Sequence, residues 1–90
     1  MVRIRTTMDM ERYATKDHTL VKTWEIVESQ VLHIKDFLEF EGYNTNGHLI
    51  PGTRYIYEID IIGLNKSDKE FDDVIGDLND LFPDHIFEVV

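Results

Sequence analysis

Hydrophobic positions along this chain change their period from two to about 3.6 and back, and then do so again. Residues 2–9 alternate Val2, Ile4, Thr6 and Met8 with Arg3, Arg5, Thr7 and Asp9, which suits a half-buried strand. After a polar stretch over residues 11–19, Leu20, Trp24, Val27, Val31, Ile34 and Leu38 recur at steps of three and four. That spacing predicts an amphipathic helix over residues 20–41, with Gly42 just past its end. Residues 42–52 (GYNTNGHLIPG) are rich in turn formers. Asn46-Gly47 is expected to make a hairpin turn, beside a short strand at 48–50 that Pro51 would confine to a sheet edge.

Residues 53–64 give the clearest strand, with 54–62 expected at the centre of a sheet. Tyr55, Tyr57, Ile59 and Ile61 share one face, and Arg54, Glu58 and Asp60 the other. Ser67 is expected to open a second helix over 67–82, with Glu70 as its capping-box partner. Phe71, Val74, Ile75, Leu78, Leu81 and Phe82 form its buried face, Pro83 stops it, and residues 85–90 read as a last strand. The order strand, helix, strand, strand, helix, strand predicts one α+β domain over 1–90. Its expected form is a ferredoxin-like β-α-β-β-α-β sandwich, an antiparallel sheet with two helices on one face.

Composition narrows the function classes. The chain of 90 residues is 42% hydrophobic, enough to fold despite a net charge of −9. It has no cysteine, so disulfides, thiolate nucleophiles and zinc-thiolate sites are excluded. Two early arginines have no apolar run behind them, so a signal peptide is not expected, and no segment approaches the length of a membrane span. Residence in the cytoplasm follows as an expectation.

The charge is unevenly spread. Residues 1–22 carry five Lys/Arg against three acids, whereas residues 23–90 carry four against fifteen. Glu70, Asp73, Asp77 and Asp80 run down one side of the second helix with no base among them. Like-charged residues three or four apart destabilise a helix by about 0.2–0.5 kcal/mol per pair. Acids near a helix C-terminus also oppose its macrodipole, and Gly76 weakens the same helix by about 1 kcal/mol relative to Ala. Local rules broken together point to function. The first helix repeats the pattern more loosely with Glu25, Glu28, Asp36 and Glu39, partly neutralised if Lys22 reaches Glu25 and Lys35 reaches Glu39. Two acidic ridges on neighbouring helices are a crude likeness of two phosphate backbones. A negative field repels nucleic acid and membranes and attracts basic surfaces.

Other chemistry is poorly supported. Asp68, Asp72, Asp73, Asp77 and Asp80 spread around a helix instead of converging as a metal site requires. His18, His33, His48 and His85 show no ligand spacing, and His33 is expected to be solvated. There is no serine elbow, glycine-rich phosphate loop or HExxH. Neither an enzyme nor a cofactor is expected. On the side of the first helix opposite its acids, Ile26, Phe37 and Phe40 exceed the width of one core stripe; with the aromatic area of Trp24, Tyr13 and Tyr43 they suggest an isologous dimer built on that helix.

In length, acidity and these helical ridges the chain resembles the DNA-mimic anti-restriction proteins of phages. That resemblance implies a non-enzymatic, dimeric inhibitor in the host cytoplasm. It would occupy the DNA-binding surface of a basic host protein, either a restriction enzyme or a nucleoid protein, and would not itself bind nucleic acid. Glu25, Glu28, Asp36, Glu39, Glu70, Asp72, Asp73, Asp77 and Asp80 are the candidate partner-binding residues. A small ferredoxin-like regulatory or ligand-binding domain, whose acids serve solubility alone, is the alternative.

Overall fold

The computed structural model describes residues 1–8, 20–53 and 56–90, with the side chains of these apart from residues 8 and 20–27. The expectations for Trp24, Ile26, Tyr13, Tyr55, Arg54 and the Lys22–Glu25 pair therefore lie outside the described side chains. The fold is α+β: strands β1 (Val2–Met8), β2 (Asn44–Leu49), β3 (Tyr57–Ile62) and β4 (His85–Val89), with helices α1 (Leu20–Phe40) and α2 (Phe71–Leu81). The four strands form one antiparallel sheet in the order β2-β3-β1-β4. The strand containing 57–62 is internal, as its run of apolar residues on one face requires, and the strand beside Pro51 lies at an edge.

Alternation in β1 decides which side is covered. Val2, Ile4 and Thr6 are wholly buried, paired across the strands with Ile61, Ile59 and Tyr57. Val31, Ile34 and Leu38 of α1 and Val74 and Leu78 of α2 complete the same core, so both helices lie on that face. Each such side chain contributes about 1.5–3 kcal/mol by leaving water. The opposite face carries the other set of strand residues: Arg3 and Arg5 of β1, Glu58 and Asp60 of β3, His48 of β2 and Glu88 of β4.

α1 ends where glycine allows it. Gly42 adopts φ 99°, donates its N–H to Glu39 O at 3.0 Å, and the next N–H, from Tyr43, reaches back to Leu38 O at 3.0 Å. This is a Schellman closure, and Tyr43 packs onto the core that includes Leu38.

Three local expectations fail for physical reasons. Asn46-Gly47 lies inside β2, and the chain turns at 50–53 instead. Pro51 and Gly52 supply the residues of a type II turn, Gly52 has φ 84°, and Thr53 N–H closes it onto Ile50 O at 3.2 Å. Gly47 serves packing: an added Cβ would meet Lys35 Cδ at 3.4 Å and Ile59 Cγ1 at 3.6 Å. Ser67 does not cap α2, which begins four residues later at Phe71 with no side-chain cap from Glu70. Asp68 takes the local role, its Oδ2 accepting the Asn65 N–H at 2.8 Å in the turn before the helix. Leu81, expected in the buried face, is 57% exposed, while Phe71, Ile75 and Phe82 pack against the core edge.

Candidate partner-binding surface

Positive charge from β1 is consumed on the open face of the sheet. Arg3 and Asp60 are cross-strand partners, and Arg3 Nε donates to Asp60 Oδ1 at 2.7 Å while its Nη2 reaches Oδ2 at 3.3 Å. Two residues along, Arg5 Nη2 donates to Glu58 Oε2 at 3.1 Å, and His48 Nε2 lies 3.2 Å from Glu58 Oε1. Glu88 stands opposite Arg5 from β4. The Arg3 guanidinium holds the Asp60 carboxyl below the usual carboxylate range, and Arg5 does the same for Glu58. Side chains two apart on one strand face partners two apart on the next, so one register makes both pairs. The alternation Arg3/Arg5 against Glu58/Asp60 was the sequence signal for this ladder, and pattern reading along single strands missed it.

The helical side is the reverse. Residues 65–84 carry seven acids against two lysines, and residues 28–41 carry four against one. Glu70, Asp72, Asp73, Asp77 and Asp80 of α2 are all exposed, as are Glu28, Asp36 and Glu39 of α1. Among the described residues none of these eight is in an ion pair. Glu25 belongs to α1, but its side chain is outside the described ones. Lys35 does not reach Glu39 as expected. Its stem lies over Gly47 of β2, and Glu39 Oε1 accepts from Thr45 Oγ1 at 3.2 Å instead. The acids make themselves felt nearby: burial, then Glu70, Asp68 and Glu41, push the Tyr43 phenol up, and burial with Glu28 does so for Tyr57.

The two ridges are not side by side. Phe37 of α1 meets Phe82 just past α2, ring centroids 6.5 Å apart, so this flank of α1 faces α2. Glu39 lies about 160° round the helix from Phe37, toward β2. On α2 the half-buried Phe71 and Ile75 flank the buried Val74 and Leu78 on one side, and Glu70, Asp73 and Asp77 flank them on the other. Packed helices have axes about 8–10 Å apart, so outward flanks are separated further. Each ridge is thus a separate row. From Glu70 at the cap of α2 to Asp80, four carboxylates are spread over ten residue steps, about 15 Å, one per ~5 Å, against one phosphate per ~3.4 Å of a single DNA strand.

Two features escaped the sequence reading. Leu32, 57% exposed, sits among the acids of α1. Phe40, expected beyond the core stripe, is 88% exposed but stands one turn from Asp36 instead of opposite the acids, whereas Phe37, expected there too, is drawn into the core edge. His85 is buried on the helical face, its Nδ1 3.1 Å from Thr6 Oγ1, its ring stacked on Phe87 and edge-on to Phe82. Burial pushes its pKa down, partly offset by Asp84. Among the described residues no three metal-ligating side chains converge, and no helix is long and apolar enough to cross a membrane. In comparisons with known proteins, the chain matches no family model, no curated protein and no solved structure.

Proposed function

We propose that this chain is an acidic DNA mimic that occupies the DNA-binding surface of a basic protein of its host, a restriction enzyme or a nucleoid protein. It carries out no chemistry and does not bind nucleic acid itself. The observation that carries the reading is segregation of charge. The arginines of β1 are neutralised on the open sheet face by Asp60 and Glu58, leaving the exposed acids of both helices without ion-pair partners among the described residues. Arg3 and Arg5 therefore do not dilute the acidic rows. A homodimer in the host cytoplasm belongs to the same reading, because one α2 ridge carries charge more sparsely than one DNA strand; its interface lies away from the Glu28–Phe40 line of α1, where carboxylates of two copies would meet.

The finer fold name is part of the proposal. β1 and β2 run parallel with β3 inserted between them, since each pairs antiparallel with β3. β3 and β4 likewise run parallel with β1 between them. Two interleaved split β-α-β units of this kind support a ferredoxin-like sandwich.

One observation favours the alternative of a regulatory or ligand-binding domain: Asp72 and Asp73 lie in the first turn of α2, where they complement the helix dipole without any partner. Retention on an immobilised basic DNA-binding protein across a salt series separates the readings. A mimic is retained at low salt and released steadily as salt rises. Absence of retention at low salt overturns the proposal.

A further inference from the structure

We propose that the outward face of α1 between Glu28 and Phe40 is a docking ridge for a basic amphipathic helix of a partner protein. Glu28, Leu32, Asp36 and Phe40 follow one another at steps of four, so they form one line along the helix. All four are exposed, Leu32 by 57% and Phe40 by 88%. These two are not overspill from the core: Val31, Ile34 and Leu38 serve it from the other side of the helix, and Phe37 is taken by Phe82. A row at steps of four is the ridge that one helix lays into the groove of another. Leu32 and Phe40 are two turns apart, about 12 Å along the axis. Apolar residues seven or eight apart on a facing helix match that interval.

Charge selects the occupant. Glu28, Asp36 and Glu39 interleave with the apolar pair, and Lys35, the lysine of this stretch, is drawn away over Gly47. A second copy laid on the same ridge would set carboxylates against carboxylates, and a nucleic acid or an anionic membrane would be repelled. A helix with lysine or arginine between its apolar residues satisfies both halves of the line. The inference rests on the reading that the acids serve a basic partner, and adds that salt-insensitive apolar contacts supply part of the affinity.

The test uses two synthetic Leu/Lys peptides of one composition and charge, one with leucines at helical spacing and one scrambled, titrated by fluorescence anisotropy. The amphipathic peptide is expected to bind at least tenfold more tightly. Leu32→Ser with Phe40→Ser should remove that preference and leave the salt dependence, whereas Glu28→Gln with Asp36→Asn should flatten the salt dependence and leave the preference. Both pairs change exposed residues, and unchanged circular dichroism confirms the fold. Equal binding of the two peptides, no binding of either, or a preference that survives the Leu32/Phe40 change overturns the proposal. So does self-association, seen by sedimentation, that the Leu32/Phe40 change abolishes, since it assigns the ridge to a second copy. Neutralising the α2 ridge instead, and measuring competition with DNA, reports on the DNA-mimic reading alone, so the two failures are distinguishable.

Discussion

Replacing Asp73, Asp77 and Asp80 together by Asn tests whether the α2 ridge is held at the expense of the helix. All three are exposed and, among the described residues, lack ion-pair partners, so the change alters charge and little else. It abolishes three like-charge neighbours, Glu70/Asp73, Asp73/Asp77 and Asp77/Asp80, a gain of about 0.6–1.5 kcal/mol at roughly 0.2–0.5 per pair. Asp80 lies in the last turn, where no basic residue offsets it, and its removal adds about 0.3–1 kcal/mol. Asp73 lies in the first turn, so its loss removes a favourable dipole contribution of similar size. The net expectation is a gain of about 1 kcal/mol, a rise in Tm of roughly 4–8 °C for a domain of this size. Leaving Asp73 in place should give a gain at least as large, because one pair is kept but the favourable first-turn charge is too. Thermal melts followed by circular dichroism measure both variants. Half-molar salt should shrink the difference, since these charges are exposed. A triple variant that melts lower than the parent refutes the reasoning and shows that these carboxylates make stabilising contacts; a gain that salt does not touch refutes it too, because the gain is then not relief of exposed-charge repulsion.

Other outcomes follow from the core, the turns and the buried histidine. Leu38→Ala, at a wholly buried position shared by α1 and the sheet, should lower unfolding free energy by about 2–5 kcal/mol in urea titrations. Gly42→Ala should cost about 1–2 kcal/mol from its left-handed backbone alone, since nothing lies within 4 Å of the new Cβ, whereas Gly76→Ala in α2 should gain about 1 kcal/mol. Stability should fall with pH in two stages. His85 has a folded pKa below its ordinary 6.5, so the unfolded chain takes up the proton first and stability drops as pH falls below about 6.5. Glu58 and Asp60 are held below their ordinary 4.5 and 3.8, so their contribution is complete above those values and is lost at lower pH, as it falls through their folded values. His85→Gln should erase the first stage and leave the second; a pH profile unchanged by this substitution would contradict the assignment.

The order of elements was legible because each buries one face, and burial writes its period into the sequence: Val2, Ile4 and Thr6 at two, Val31, Ile34 and Leu38 at three and four. Gly42 was legible for a local reason, the positive φ that a helix end demands. Where two local signals competed, their relative strength was hidden. Asn46-Gly47 lost to Pro51-Gly52, since the register of β2 on β3 carries pairing out to Leu49 and Tyr57. Ser67 lost to Asp68, whose carboxylate holds the preceding turn. Leu81 fell outside the core because α2 offers its narrow buried stripe at Val74 and Leu78. On the candidate surface, the exposure of the acids was legible from helical spacing. The divergence of the two ridges was not, because it depends on which flank of each helix meets the other, a choice made by Phe37 and Phe82. The cancellation of Arg3 and Arg5 also required knowing that β1 lies next to β3, a pairing between residues more than fifty positions apart.

The central claim is that the acidic helices stand in for DNA, and competition tests it most directly. A fluorescently labelled duplex is bound to a basic DNA-binding protein at low salt, and the chain is titrated in while anisotropy is followed. The chain should displace the duplex, and the Asp73/Asp77/Asp80→Asn variant, folded and at least as stable, should displace it much less well. Release of the duplex that is equally effective with the neutralised variant would contradict a role for this ridge. A duplex that stays bound at every concentration of the parent chain would contradict DNA mimicry altogether.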